Sequence, residues 1–190
     1  MAIKSLAEKF EHGLGDIYDA EHQFLVAQQQ MLEQASTPAV KRLLETHIKQ
    51  TEQQIGVLEQ AFKQLKTEAE RIKCQAAAGI VAENKKSLKE TSSSPILADL
   101  TIADGALKVE HYEISTYRSL ISTAEALGET KIAKLLQKNL AQEEQTATKI
   151  EQNAPVLLRQ AISAEFATTT SKGAAETSEK KAAKARSASA

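Results

Sequence analysis

The sequence predicts an all-α protein: a bundle of four long helices, with a fifth, shorter helix crossing over between the second and third long ones. Three observations carry that prediction. Residue usage is rich in Ala, Leu, Glu, Gln and Lys and poor in aromatics (4%), which favours helices over strands. Gly and Pro number only 7 and 3 in 190 residues, leaving few places for the chain to turn. Apolar residues recur at steps of three and four over four stretches of roughly 25–30 residues, the period of an amphipathic helix.

Ser5, with Glu8 three residues on, forms a capping box that opens the first helix. Its apolar stripe takes in Phe10, Leu14, Ile17, Phe24, Leu25, Met31 and Leu32 before the chain breaks at QASTP. Thr37 is the N-cap of the second helix and Pro38 its first residue; the stripe runs from Val40 through Leu44, Ile55, Leu58 and Phe62 to Leu65. A smaller, alanine-rich helix is expected over about 69–89. After KETSSSP, Ser94 and Pro95 open the third long helix, which ends at Leu127-Gly128, where glycine supplies a left-handed cap. The last long helix follows, and Pro155 is expected to end or kink it, with VLLRQAI packing back as a short tailpiece. Short turns make the first pair and the last pair antiparallel, while the long connection over about 67–94 can carry the chain back along the whole bundle. The arrangement is up-down-down-up with one crossover, which among four-helix bundles is the ferritin-like topology. Residues 1–166 form this domain; 167–190 are an Ala/Lys/Ser-rich tail, low in apolar bulk, expected to be disordered.

Charge is unevenly placed. Net charge is −1 over the chain, but the segment from Ser171 onward carries +3, leaving −4 on residues 1–170. A mildly acidic body offers no footprint for nucleic acid. A lone cysteine, Cys74, rules out an internal disulfide and fits a reducing compartment. The start, MAIKSLAEKFEHGL, lacks the apolar run of a secretory signal, and no stretch approaches the roughly 18 apolar residues of a membrane span. The expectation is a cytoplasmic protein with no membrane partner.

Each long helix interrupts its apolar stripe near mid-length with a carboxylate or an amide. In the first, the row Leu14, Ile17, Phe24, Gln28 passes through Glu21; in the second, Leu44 and Leu58 flank His47, Thr51 and Gln54. In the third, Ala103 and Leu107 lead to Glu110 and Glu113, then Tyr117; in the last, Leu136 and Leu140 lead to Glu143 and Thr146. Mid-helix positions of matched antiparallel helices meet at one height, so Glu21, Gln54, Glu110, Glu113 and Glu143 are expected to converge. Four buried carboxylates repel one another and lose their hydration, and the facing row of the second helix supplies no Lys or Arg. Two divalent cations would balance them, and oxygen-rich sites suit Mn or Fe among redox metals. Those five residues are therefore the candidate ligands of a dinuclear metal site.

His47, a turn or more from the site centre, reads equally as a hydrogen-bonded core histidine or as a ligand, while His12, His22 and His111 read as surface or contact residues. Thr51 reads as bonded to its own backbone, Tyr112 and Tyr117 as packing residues or relays near a metal, and Cys74 as a small buried hydrophobe.

The runs DIYDAEHQ, LETHIKQTEQQI, KVEHYEISTYRSLISTAEALG and LAQEEQT resemble the YciF/YciE-like stress-protein family of the ferritin-like superfamily, from the first helix to about residue 165. The resemblance implies a five-helix ferritin-like fold, a homodimer, a dinuclear metal site and a role under stress. The wider superfamily, rubrerythrin especially, places a Glu on the first helix, Glu-x-x-His on the second, two Glu three apart on the third and Glu-x-x-His on the last. Glu21, Glu110, Glu113 and Glu143 match its glutamates; Thr51-x-x-Gln54 replaces one Glu-x-x-His, and Thr146 replaces the histidine of the other. Two functions follow. One is a redox metalloprotein acting on oxygen, peroxide or ferrous iron; the other is a non-enzymatic helical homodimer with a vestigial site that binds partners during stress. Ile72, Ile80 and Val81 offer an apolar surface for dimerisation.

Overall fold

The computed structural model describes residues 2–187, with side chains described as far as residue 166. Five helices follow one another: α1 (Leu6–Gln34), α2 (Pro38–Leu65), α3 (Gln75–Thr91), α4 (Pro95–Ala126) and α5 (Thr130–Ser187). No strand occurs among the described residues. The side chains of the expected tail, 167–190, lie outside those described.

The helix ends follow their local chemistry. Ser5 Oγ accepts the Glu8 N–H, and Glu8 reaches back to the Lys4 N–H rather than to the cap residue itself. Thr37 caps α2 through the Val40 N–H, with Pro38 at the first position. Gly128, at φ 78°, turns the chain after α4 in the left-handed conformation that costs glycine nothing. Pro155 neither ends α5 nor leaves its successor loose. The helix continues through it, and Leu157 and Ala161 beyond it are buried.

Side-chain contacts set the directions. Tyr117 meets Glu21 and Tyr112 meets Phe24 across the α1–α4 face, while Gln50 meets Thr146 and Gln53 meets Gln142 across the α2–α5 face. In both pairs one number rises as the other falls, so both are antiparallel. α2 and α4 run parallel, Thr37 lying against Asp99 and His47 against Glu110. The bundle is therefore up-down-down-up, and α3 is the crossover, lying back along α4 and against α1.

α3 begins later than the expected 69. Lys66, at φ 61°, closes α2, and the next residues spend their backbone groups on α1 instead of on a helix. The Ile72 N–H donates to the Gly15 carbonyl, and the Cys74 N–H to Asp19. Asp19 also receives Arg71 and Gln23. Burial acts against the charge, but the Cys74 N–H, the Gln23 amide and the Arg71 guanidinium together hold the Asp19 carboxyl below its usual range. Cys74 is more than a small hydrophobe. Its sulfur caps α3 by accepting the Ala77 N–H and lies 3.0 Å from the Tyr112 hydroxyl, which also meets Asp16.

Two apolar clusters fill the bundle. One centres on Phe10, Leu14, Phe24, Leu58, Leu120 and Leu136; the other on Met31, Leu44, Leu88, Ile102, Ile150 and Leu157. Ile80 and Val81, expected on an outer surface, pack partly against this interior.

α3 packs tightly on α4 at Gly105, where a β-carbon would stand 2.3 Å from the Asn84 side chain. Asn84 is buried and donates to the Met31 sulfur, so it has little room to withdraw. Gly105→Ala is expected to cost about 1–3 kcal/mol in denaturant melts. The cost should largely vanish in an Asn84→Ala background, because the two sites share one clash.

Candidate metal centre

Glu21, Gln54, Glu110, Glu113 and Glu143 are all buried, and they sit at one level between the two apolar clusters. Mid-helix carboxylates face inward here because each replaces an apolar residue on a stripe that must face inward. Ligand atoms of Glu110, Glu113 and Glu143 fall within 4.8 Å of one another, and His47 joins them. Glu21 stands outside that group but faces Glu113, while the Gln54 amide donates to Glu143. The five residues picked out by the sequence thus share one layer. His47, which the sequence leaves open between a core histidine and a ligand, stands beside the carboxylates: its Nδ1 lies 3.1 Å from Glu110 Oε1 and its Nε2 3.8 Å from Glu143 Oε2.

Surrounding side chains hold this layer in place. The Tyr117 hydroxyl donates to Glu21 and accepts from the Asn139 amide, which also reaches the Gln54 carbonyl. Thr51 exchanges hydrogen bonds with the Gln28 side chain rather than with its own backbone, and the same Gln28 amide rests 3.4 Å from His47 Nε2. Thr146 returns its hydroxyl to the Gln142 carbonyl and to Gln50. Asn139 was not singled out from sequence, although its place one turn before Glu143 put it on the same inward row. His111 is exposed, near Glu151 and away from the layer.

Among the described residues no Lys or Arg is buried with the layer, and burial and mutual repulsion set the direction in which its carboxyls shift. Burial, then the charge of Glu143, pushes Glu21 and Glu113 well above the usual range; burial and the facing Glu143 do the same to Glu110. Burial brings Glu143 up to about 7, and burial brings His47 down to about 4. Both shifts disfavour an ion pair between His47 and Glu110 in the metal-free chain. Six buried oxygens have no hydrogen-bond partner: both of Glu110 and one each of Glu21, Gln54, Glu113 and Glu143. Unpaired buried acceptors cost about 1–3 kcal/mol each, so a cluster of them calls for a ligand. This buried group of three carboxylates and one imidazole could hold a metal ion.

The fold and its buried layer define a helical bundle of the ferritin-like class with a candidate metal centre at mid-height. Residues 5–163 match a family described as a domain of unknown function, DUF892. Protein YciF of Escherichia coli K12 is 32% identical over 151 residues, covering 79% of this chain and 90% of YciF. The crystal structure of that E. coli stress protein superposes with a TM-score of 0.78 at 30% identity, over 83% of this chain and 99% of YciF. YcfI from Rhodopseudomonas palustris gives 0.77 at 36% identity, over 78% of this chain and 94% of its own. A protein from Xanthomonas campestris pv. campestris, 20% identical with a TM-score of 0.66, shares the fold. The chain belongs to the DUF892 family of YciF-like proteins. No helix among the described residues is long and apolar enough to cross a membrane.

The titration directions set a pH dependence for metal-free protein. A carboxyl raised in the folded state binds its proton more tightly folded than unfolded, so its contribution is present below about pH 4.5 and is lost as pH rises through the folded value. His47 works the other way: its contribution is present above about pH 6.5 and is lost toward pH 4. Four raised carboxyls outweigh one lowered imidazole. Melting temperature in chelator should therefore fall as pH rises from about 5 to about 8. A rise over that window would place the charges of these groups in solvent.

Proposed function

We propose that this chain is a ferritin-like stress-response protein whose buried carboxylates hold a dinuclear iron or manganese centre acting on oxygen, peroxide or ferrous iron. The observation that carries the reading is the convergence of six partnerless buried oxygens, from all four long helices, on one layer. His47, Glu110, Glu113 and Glu143, with Glu21 and Gln54 beside them, would hold the metal. When bound, such a pair would supply electrons to, or take them from, a small oxidant or ferrous ion. The chain's own side chains orient the ligands: Tyr117, backed by Asn139, holds Glu21, and the Gln54 amide holds Glu143. Gln28 and Thr51 fix the side of the layer that His47 occupies. His47, one turn ahead of Thr51, supplies an imidazole where the superfamily pattern supplies one from Gln54's position. Thr146 leaves its imidazole unreplaced. Fewer nitrogen donors weaken the site and shift its electronics.

A second reading, a partner-binding homodimer with a vestigial site, is favoured by those same replacements, since Thr51 and Thr146 are already bonded within the bundle.

Metal content separates the two. Protein purified without chelator and supplemented with Fe or Mn should carry well above about 0.2 ions per chain if the site binds strongly enough to stabilise the fold. Lower occupancy overturns the redox reading. Glu143→Leu should raise the stability of the metal-free chain by about 1–3 kcal/mol, because it removes desolvation and repulsion while filling similar volume. It should also abolish any stabilisation by added metal.

A further inference from the structure

A cleft of about 550 Å³ opens between the N-terminal half of α2 and the stretch of α5 on the far side of Thr146 from the carboxylates. Its inner end is closed by the Gln50–Thr146 hydrogen bond of 3.3 Å, which keeps it one helical turn from Glu143 and His47. Val40, Leu43, Ile150 and Leu157 form apolar walls, and α4 contributes only Ala103. That volume and that lining belong to the range of small-molecule sites.

Charge in the cleft has one sign. Arg42 on one wall and Lys149 on the other are its only charged residues, and no Asp or Glu lines it. Both are exposed, and neither is paired with a carboxylate among the described residues; the Lys149 ammonium bonds only the neutral Gln145 amide oxygen. The lining runs along α2 from Thr37 to Gln50, which at 1.5 Å per residue is roughly 20 Å, room for an extended apolar chain.

We propose that this cleft binds a small amphiphilic monoanion, of the class of medium-chain carboxylates, its apolar body against Val40, Leu43 and Ile150 and its anionic head between Arg42 and Lys149. A neutral apolar molecule would leave the two cations unused. A compact polyanion would have to set charge against apolar walls, at a cost that desolvation makes large. No ligand of the buried layer lines the cleft, so the inference stands apart from the metal reading.

The test uses the full chain in chelator, titrated calorimetrically with decanoate and with decanol. Decanoate should bind one per chain, at least about tenfold tighter than decanol, a ratio that corresponds to one good charge-assisted contact. The double variant Arg42→Glu/Lys149→Glu should weaken decanoate about tenfold or more and leave decanol within about twofold. Thr46→Trp, at an exposed position of the lining, should weaken both by covering the mouth. All these positions are exposed, so the helical circular dichroism spectrum should not change. Equal affinity for decanol and decanoate, or no saturable binding of decanoate, overturns the proposal. So does sedimentation showing a dimer that Thr46→Trp dissociates, which would assign this face to a second copy of the chain.

Discussion

Four glutamates meet at mid-height in this bundle, with no lysine or arginine among them, and the rest of the molecule is arranged around that fact. The layer splits the apolar interior into two clusters, so each long helix is apolar at both ends of its buried stripe and polar in the middle. Desolvation and mutual repulsion hold these carboxyls toward their neutral forms. Even neutral, they leave oxygens without donors. The layer is thus a place where local stability has been given up, and such places are where binding is found.

Two other buried carboxylates in the same chain show that this is not the general condition of its acids. Asp99, on α4, accepts the Ser36 and Thr37 N–H groups at 2.7 and 2.8 Å, tying the α1–α2 turn to the far helix. Asp19 accepts the Cys74 N–H, Gln23 and Arg71, and so anchors the segment leading into α3. Each of these is a structural carboxylate whose oxygens are met by N–H donors. Glu110, whose oxygens accept no hydrogen bond and whose nearest nitrogen is the His47 ring at 3.1 Å, is of a different kind. For Asp99, which is as fully buried as Glu110, the contrast lies in the donors.

Membership of the YciF-like family fits this division between scaffold and layer. The scaffold contacts follow the ferritin-like topology throughout. The departures from the superfamily's ligand pattern fall on α2 and α5, at Thr51, Gln54 and Thr146, and each of these is tied into hydrogen bonds inside the bundle.

The crossover was legible in the sequence because the length of its connection requires it, and the turn at Gly128 because glycine takes a positive φ without strain. Helix number and the caps at Ser5 and Thr37 were legible because they rest on residues three or four apart. The inward glutamates were legible for the same reason: a helix has only one buried face, and its period assigns residues to it. What the sequence could not decide were the contacts made across long separations. α3 begins at Gln75 because Asp19 and Gly15 claim the backbone of the preceding segment, although the local residues are good helix formers. Pro155 stays within α5, where Leu157 and Ala161 are buried against the bundle beyond it. His47 reaches the carboxylates because the relative height of α2 against α4 and α5 puts it there, and helix height is set by packing along the whole length of the bundle. Periodicity names the face a side chain takes; only the assembled helices determine what that face meets.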